Sequence, residues 1–192
     1  MNETVVLETE RLILRRLTPN DLDDLAALYA DPDVMRFYPA TRTRAETKQN
    51  LDTLIAMYAE RGYGLYATVH KADGRFIGRC GLMIQTVHGK EELEVGYMLD
   101  KAYWRRGLAT EAARALRDWG FRAFGAPRII SLIRPENVPS QGVALKNGMH
   151  HGADTVHANL AHRVYAIERE TWEGRGGTSD HRGETHVDNS RR

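Results

Sequence analysis

The sequence predicts a single α/β (α+β) domain built on one mixed central sheet. Three observations predict it. Late in the chain, strand-like runs alternate with helical patterns, which favours strand–helix–strand crossovers. The middle reads as consecutive strands joined by short turns, which favours antiparallel pairing. The 192 residues, 42% hydrophobic and 28% charged, suit one ordinary globular core.

Taken in order, "RLILRRL" (Arg11–Leu17) has strand character. "TPNDLDDLAALYAD" predicts a helix: Thr18 caps it, Pro19 suits its first position and Asp21 completes a capping box. Leu22, Leu25, Leu28 and Tyr29 fall on one face of it. A second capping box, Thr43 to Glu46, opens a helix in which Leu51, Leu54, Ile55 and Tyr58 recur at helical spacing and which Gly62 stops. "GLYATVH" and "RFIGRCGLMIQTV" read as strands joined by the turn "KADG", with "ELEVGYML" (Glu92–Leu99) as a third. A helix from Gly107 to Phe124 follows, then a strand over Pro127–Arg134 and a short helix in "VPSQGVALKNG" ended by Gly148. The last strand is His162–Thr171. The segment 174–192 is Gly-, polar- and charge-rich with one aliphatic residue, Val187, and reads as a disordered tail behind a domain spanning 7–172.

Composition excludes several function classes. A formal net charge of +1 offers no global field for nucleic acid or an anionic membrane. No apolar run approaches the roughly 20 residues of a membrane span, and "MNETVVLETE" is acidic and too short in its apolar part for a signal peptide. Cys80 is the sole cysteine, so no intrachain disulfide forms. The expected compartment is the cytoplasm. The eight histidines show no metal-ligand spacing, and no metal is expected.

The chemistry-bearing stretch is "AYWRRGLATEA" (Ala102–Ala112). Strand, glycine, helix is the sequence form of an anion site. The first N–H groups of a helix lack intrahelical partners, the helix dipole adds positive charge there, and a glycine lets a phosphate approach. Arg105 and Arg106 add mobile charge. The stretch is neither a Walker loop nor a dinucleotide fingerprint. From these residues alone, an anion site and a plain turn with solvated arginines both stand.

About 25 residues further on comes "RPENVPSQGVALKNGM" (Arg134–Met149). With it, the sequence resembles the GNAT N-acetyltransferases, most of all the branch containing the ribosomal-protein N-terminal (alanine/serine) acetyltransferases. The matching pieces are "ETERLILRRLTPNDLDDL", "ELEVGYMLDKAYWRRGLATEA" and "RIISLIRPENVPSQGVALKNGM", and the resemblance runs from Leu7 to Trp172. It implies a mixed sheet splayed at its middle, helices on both faces, and acetyl-coenzyme A in the split. It implies a pyrophosphate loop in which Gly107 and Ala109 match the family pattern and Trp104 departs from it, so that Arg105, Arg106, Gly107, Leu108, Ala109 and Thr110 form the cradle. It implies that pantetheine pairs with backbone at Met98 and Leu99, and that Asn137 bonds the pantetheine region.

The implied reaction is direct attack of an amine on the thioester. It needs a base, an oxyanion donor and a proton or hydrogen bond for the leaving thiolate. Leu99 N–H is the oxyanion candidate. Glu94 is the base candidate, directly or through water; the alternatives are a solvated strand carboxylate or a structural ion pair, and Glu92 shares its face as the backup. Ala144 stands where many relatives place an acidic tyrosine. Ser140 is the substitute acid; as a plain residue it suits a helix start. Tyr97 and Tyr165 are hydroxyl alternatives with packing roles.

The implied function is an acetyl-CoA-dependent N-acetyltransferase acting on a primary amine, a protein or peptide N-terminus first. The alternatives are a small amine such as a polyamine, amino acid or drug, and a catalytically silent acyl-CoA-binding module. Nucleic acid and membrane partners are not expected, and a homodimer is compatible with the sequence. Acceptor choice rests on "DPDVMRFYPATR", with Phe37, Tyr38 and Arg42, and on "HHGADTVHANLAHR".

Overall fold

In the computed structural model, which describes residues 4–176, the chain opens on a hairpin of β1 (Val5–Glu8) and β2 (Leu12–Arg15). A 3-10 turn at Pro19–Asp21 leads into α1 (Leu22–Ala30). Asp21 does what its spacing predicts and more: its carboxylate accepts from Thr18 N–H at 2.7 Å and takes a two-pronged ion pair from Arg15 at 2.6 and 2.9 Å. Burial pulls this carboxyl up, yet Arg15 and the Thr18 N–H outweigh burial and hold it below the usual range. The short α2 (Pro32–Met35) follows, capped by Asp31, and then α3 (Arg44–Arg61), with the Thr43–Glu46 box and a left-handed Gly62 at its ends.

Next come β3 (Leu65–His70), β4 (Arg75–Val87) and β5 (Lys90–Leu99), each antiparallel to the one before. The chain then crosses through α4 (Leu108–Phe124) to β6 (Arg128–Ile133), and continues through α5 (Val138–Lys146), β7 (His150–His157), β8 (Leu160–Glu168) and α6 (Arg169–Gly174). The eight strands form one sheet in the order β1-β2-β3-β4-β5-β6-β8-β7. Every neighbouring pair is antiparallel except β5 with β6.

Helices cover both faces. Gly120 of α4 lies so close to the sheet that a Cβ there would sit 2.9 Å from Ile129 and 3.4 Å from Leu82 and Leu93. Arg79, of opposite parity to Leu82 on β4, instead meets the ring of Tyr29 on α1 at 5.4 Å.

Four elements lie outside those the sequence predicts: β1, β7, α2 and α6. The N-terminal strand expected over Arg11–Leu17 is β2, confined to Leu12–Arg15. The last strand begins two residues earlier than expected, at Leu160, and Thr171 belongs to α6. Gly174 closes α6, with Arg175 and Gly176 in the turn after it. The rest of the expected tail, residues 177–192, lies outside the described residues.

Candidate active site

A cavity of about 540 Å³ opens between the C-terminal half of β5, the start of α4 and the start of α5. It exists because β5 and β6 part company. Their parallel pairing stops after Leu93↔Ile129 and Glu94↔Ile130. In this register the next ladder bond would run from Leu132 N–H to Val95 C=O. That bond is intercepted on both sides. Leu132 N–H donates instead to Glu94 Oε1 at 3.0 Å, and Val95 C=O accepts instead from Ser131 Oγ at 2.8 Å. Both backbone groups at the fork are therefore satisfied without the strands closing.

Beyond the fork, Tyr97, Met98 and Leu99 line the cavity. Backbone N–H and C=O groups alternate between the two edges of a strand, and Val95 C=O faces β6. Tyr97 and Leu99 therefore turn their backbone groups into the fork, while those of Met98 turn toward β4, opposite Arg79. The backbone groups open to the fork are those of Tyr97 and Leu99, whereas the expectation names Met98 and Leu99. Leu99 C=O accepts from Trp104 Nε1 at 2.7 Å, which leaves Leu99 N–H as the group aimed into the cavity.

The α4 terminus forms the next wall. Gly107 adopts φ +80, a left-handed conformation that glycine takes without strain, and caps the helix. The first helical bond runs from Glu111 N–H to Gly107 C=O, so the N–H groups of Leu108, Ala109 and Thr110 have no partner within the helix. All three residues line the cavity, as do Arg105 and Gly107. Arg106 does not: its guanidinium lies over the Tyr103 ring at 5.0 Å. Its carbonyl is held by Arg11, from the β1–β2 turn, at 2.9 Å. Arg11 also grips Glu111 in the first turn of α4, through Nε at 2.7 Å and Nη2 at 2.6 Å, and Thr9 Oγ1 bonds the same carboxylate at 2.6 Å. The helix start is thus anchored to the first hairpin of the chain.

The third wall is α5. Asn137 caps it, its Oδ1 accepting from Ser140 N–H at 3.2 Å, which frees its amide NH2 to donate into the cavity it lines. Ser140 lines the same cavity, and its carbonyl accepts from Tyr97 Oη at 3.0 Å. Burial pushes the Tyr97 phenol far above its ordinary value and keeps it protonated. Tyr165 is not at the cavity; its hydroxyl donates to Gln141 Oε1 at 3.2 Å.

Glu94 sits apart from these groups. It is 6% exposed and does not line the cavity. One carboxylate oxygen serves the fork and the other accepts from Gln85 Nε2 at 2.8 Å. Burial raises its pKa, against the lowering pull of Leu132 N–H, Gln85 and Arg79. Glu92 pairs with Arg128 at 3.2 Å. Of the acceptor-side candidates, Phe37 and Tyr38 line the cavity and Arg42 lies over the Tyr29 ring at 5.2 Å. Sequence reasoning missed Ser131, Arg11 and Gln85. Ser131 and Arg11 act on partners 36 and 100 residues away, which no local pattern reveals, and Gln85 reaches Glu94 only through the register of the β4–β5 pair. Among the described residues, no group of three or more His, Cys, Asp or Glu side chains is placed to hold a metal, and no helix is long and apolar enough to cross a membrane.

These walls suit an extended anion: unpaired N–H groups with a glycine at one end, a free strand edge along the middle, and a hydroxyl beside it. Comparison with known proteins points the same way. The family model of the acetyltransferase (GNAT) domain matches residues 11–150. The uncharacterized protein YkkB of Bacillus subtilis (strain 168) is 36% identical over 177 residues, covering 90% of this chain and 99% of its own. The uncharacterized N-acetyltransferase p20 of Bacillus licheniformis is 31% identical over 137 residues, 70% of this chain and 76% of its own. Among solved structures, an acetyltransferase from Agrobacterium tumefaciens str. C58 superposes with a TM-score of 0.75 at 26% identity, over 88% of this chain and 97% of its own. The ribosomal L7/L12 α-N-protein acetyltransferase RimL, solved with coenzyme A, shares the fold: TM-score 0.71, 18% identity, 87% of this chain and 99% of its own.

Proposed function

The chain belongs to the GNAT acetyltransferase family and is an N-acetyltransferase, and from that premise we propose that it moves an acetyl group from acetyl-CoA to the α-amine of a protein or peptide N-terminus. The observation that carries the acetyl-CoA part is the intercepted ladder bond. It frees the Tyr97–Leu99 edge directly beside the uncapped start of α4.

The cavity walls match the parts of acetyl-CoA. The N–H groups of Leu108, Ala109 and Thr110, with Arg105 beside them, hold the pyrophosphate. The free edge of β5 pairs with the pantetheine amides, and Asn137 donates to the same arm. Acetyl-CoA supplies the activated thioester acyl group. Leu99 N–H holds the carbonyl oxygen as charge develops on it. Ser140 Oγ hydrogen-bonds the sulfur as the carbon–sulfur bond breaks. Glu94 takes the proton released by the attacking amine, through water, since its carboxylate does not reach the cavity surface.

That last feature favours the acceptor class. A base working through water, with both oxygens already hydrogen-bonded, suits an amine that sheds its proton readily. An α-amine titrates near 8, against roughly 10.4 for lysine. The ribosomal-protein acetyltransferase among the fold neighbours takes an α-amine. A peptide array with free and blocked N-termini, read by thiol release from acetyl-CoA, tests the reading. Turnover confined to free N-termini is expected. Turnover on polyamines or aminoglycosides but not on peptides would overturn the acceptor. No thiol release with any amine, with coenzyme A still bound, would leave a binding module.

A further inference from the structure

We infer that Ser131 is a positioning residue for the acyl donor: its hydroxyl, by occupying Val95 C=O, keeps β5 and β6 from zipping shut over the edge that the pantetheine uses. The inference rests on the acetyl-CoA reading of the cavity. The β4–β5 pairing runs without a register shift from Gly78↔Leu99 to Val87↔Lys90, so no bulge in that ladder turns β5 away from β6. The parallel ladder ends at one specific rung, where both of its backbone groups have been given other partners. One partner is Glu94. The other is Ser131, which is 3% exposed and donates at 2.8 Å.

The two interceptions are not equivalent. Glu94 occupies a donor, the Leu132 N–H. Ser131 occupies the acceptor, Val95 C=O. Without the hydroxyl, Val95 C=O becomes a buried acceptor with no donor, a costly state that closing the rung would relieve. Leu132 N–H is the nearest donor in register, and closing the rung transfers it from Glu94 Oε1 to Val95 C=O. Once that rung forms, the next would join Tyr97 N–H to Leu132 C=O and consume the free edge. Ser131 touches neither the donor nor the reacting atoms in this account; it acts through the position of β5.

The test compares the wild type with Ser131→Ala, which deletes only the oxygen, and with Ser131→Thr, which restores a hydroxyl with a side chain suited to strands. Amide hydrogen exchange of the free protein reads the fork without any ligand. Exchange at Tyr97 should slow about tenfold in Ser131→Ala as that amide gains a partner, and return toward wild type in Ser131→Thr. Calorimetry then uses coenzyme A and adenosine 3′,5′-bisphosphate, which lacks pantetheine. Ser131→Ala should weaken coenzyme A by about tenfold, the scale of one hydrogen bond, and leave the bisphosphate unchanged. Unchanged or faster exchange at Tyr97 in a folded Ser131→Ala protein would overturn the inference. So would equal losses for both ligands, which would mean general destabilisation. If the wild type bound no coenzyme A, the acetyl-CoA reading would fail, and the exchange result would still decide whether Ser131 holds the fork. Should Ser131→Thr be too large for its buried site, Ser131→Cys provides the restored, weaker donor.

Discussion

Under the proposed mechanism, Glu94 combines two roles that pull its side chain in different directions. As the fork's acceptor it needs an oxygen, not a charge. As a base it needs the charge that burial disfavours. Its raised pKa records that tension, burial outweighing Leu132 N–H, Gln85 and Arg79. A carboxyl raised above its unfolded value contributes its stability at pH below the unfolded value and loses it as pH rises through the folded one. Glu94→Gln keeps an acceptor for Leu132 N–H and removes the buried charge. We expect it to melt at least as high as wild type at neutral pH, with the difference vanishing in acid, while turnover falls sharply at neutral pH and recovers partly as alkaline pH deprotonates the amine. Parallel melting curves and pH–rate profiles check this. A loss of both stability and turnover would mean that the carboxylate is structural alone. At this scale the sequence was partly legible. The family resemblance points to Glu94, Asn137 and Ser140, but that Glu94 faces a strand N–H rather than the cavity depends on where β6 departs, which no local pattern encodes.

At the scale of elements, α4 shows what its sequence announces. Gly107 occupies the left-handed cap and three uncapped N–H groups follow it. A Cβ at Gly107 would meet only Arg11 Nη2, at 3.5 Å, so Gly107→Ala costs conformation rather than space, about 1 kcal/mol, with a modest loss of coenzyme A affinity. Gly107→Asp adds a carboxylate where the pyrophosphate should bind. Coenzyme A binding by calorimetry should fall to undetectable while the fold persists. Affinity equal to that of Gly107→Ala would remove the loop from the site. Elements were legible in proportion to burial. The helix α3 carries a capping box, the 3-10 turn leading into α1 carries another, and both helices bury an apolar face. The strand β7 was missed because it forms a sheet edge, exposed along nearly its whole length, so it needs no apolar alternation. The helices α2 and α6 span 4 and 6 residues, too few to show a period.

For the molecule as a whole, the fork poses a stability problem. Only two residue pairs join β5 to β6, and the halves of the sheet rely on α4 to bridge them. Gly120 is where the bridge seats, against Leu82 of β4, Leu93 of β5 and Ile129 of β6 at once. Gly120→Ala gains up to about 1 kcal/mol of helix propensity. It also forces a methyl to within 2.9 Å of Ile129, a clash of the kind that costs about 1–3 kcal/mol. The net effect should be destabilising, seen as a lower denaturation midpoint. A midpoint at or above wild type would show that Ile129 gives way freely.

Trp104 gives the protein an optical gauge of its own. Its indole lies on the cavity wall, 38% exposed and tied to the end of β5. The other two tryptophans are packed against phenylalanines, Trp119 on Phe124 and Trp172 on Phe121, each at 4.9 Å. A ligand entering the fork should strip water from Trp104 alone, so its fluorescence should shift to the blue as coenzyme A is titrated. Trp104→Phe should silence that response while leaving the emission of the two packed rings in place, and a shift that persisted would mean that the light comes from a change in the core instead.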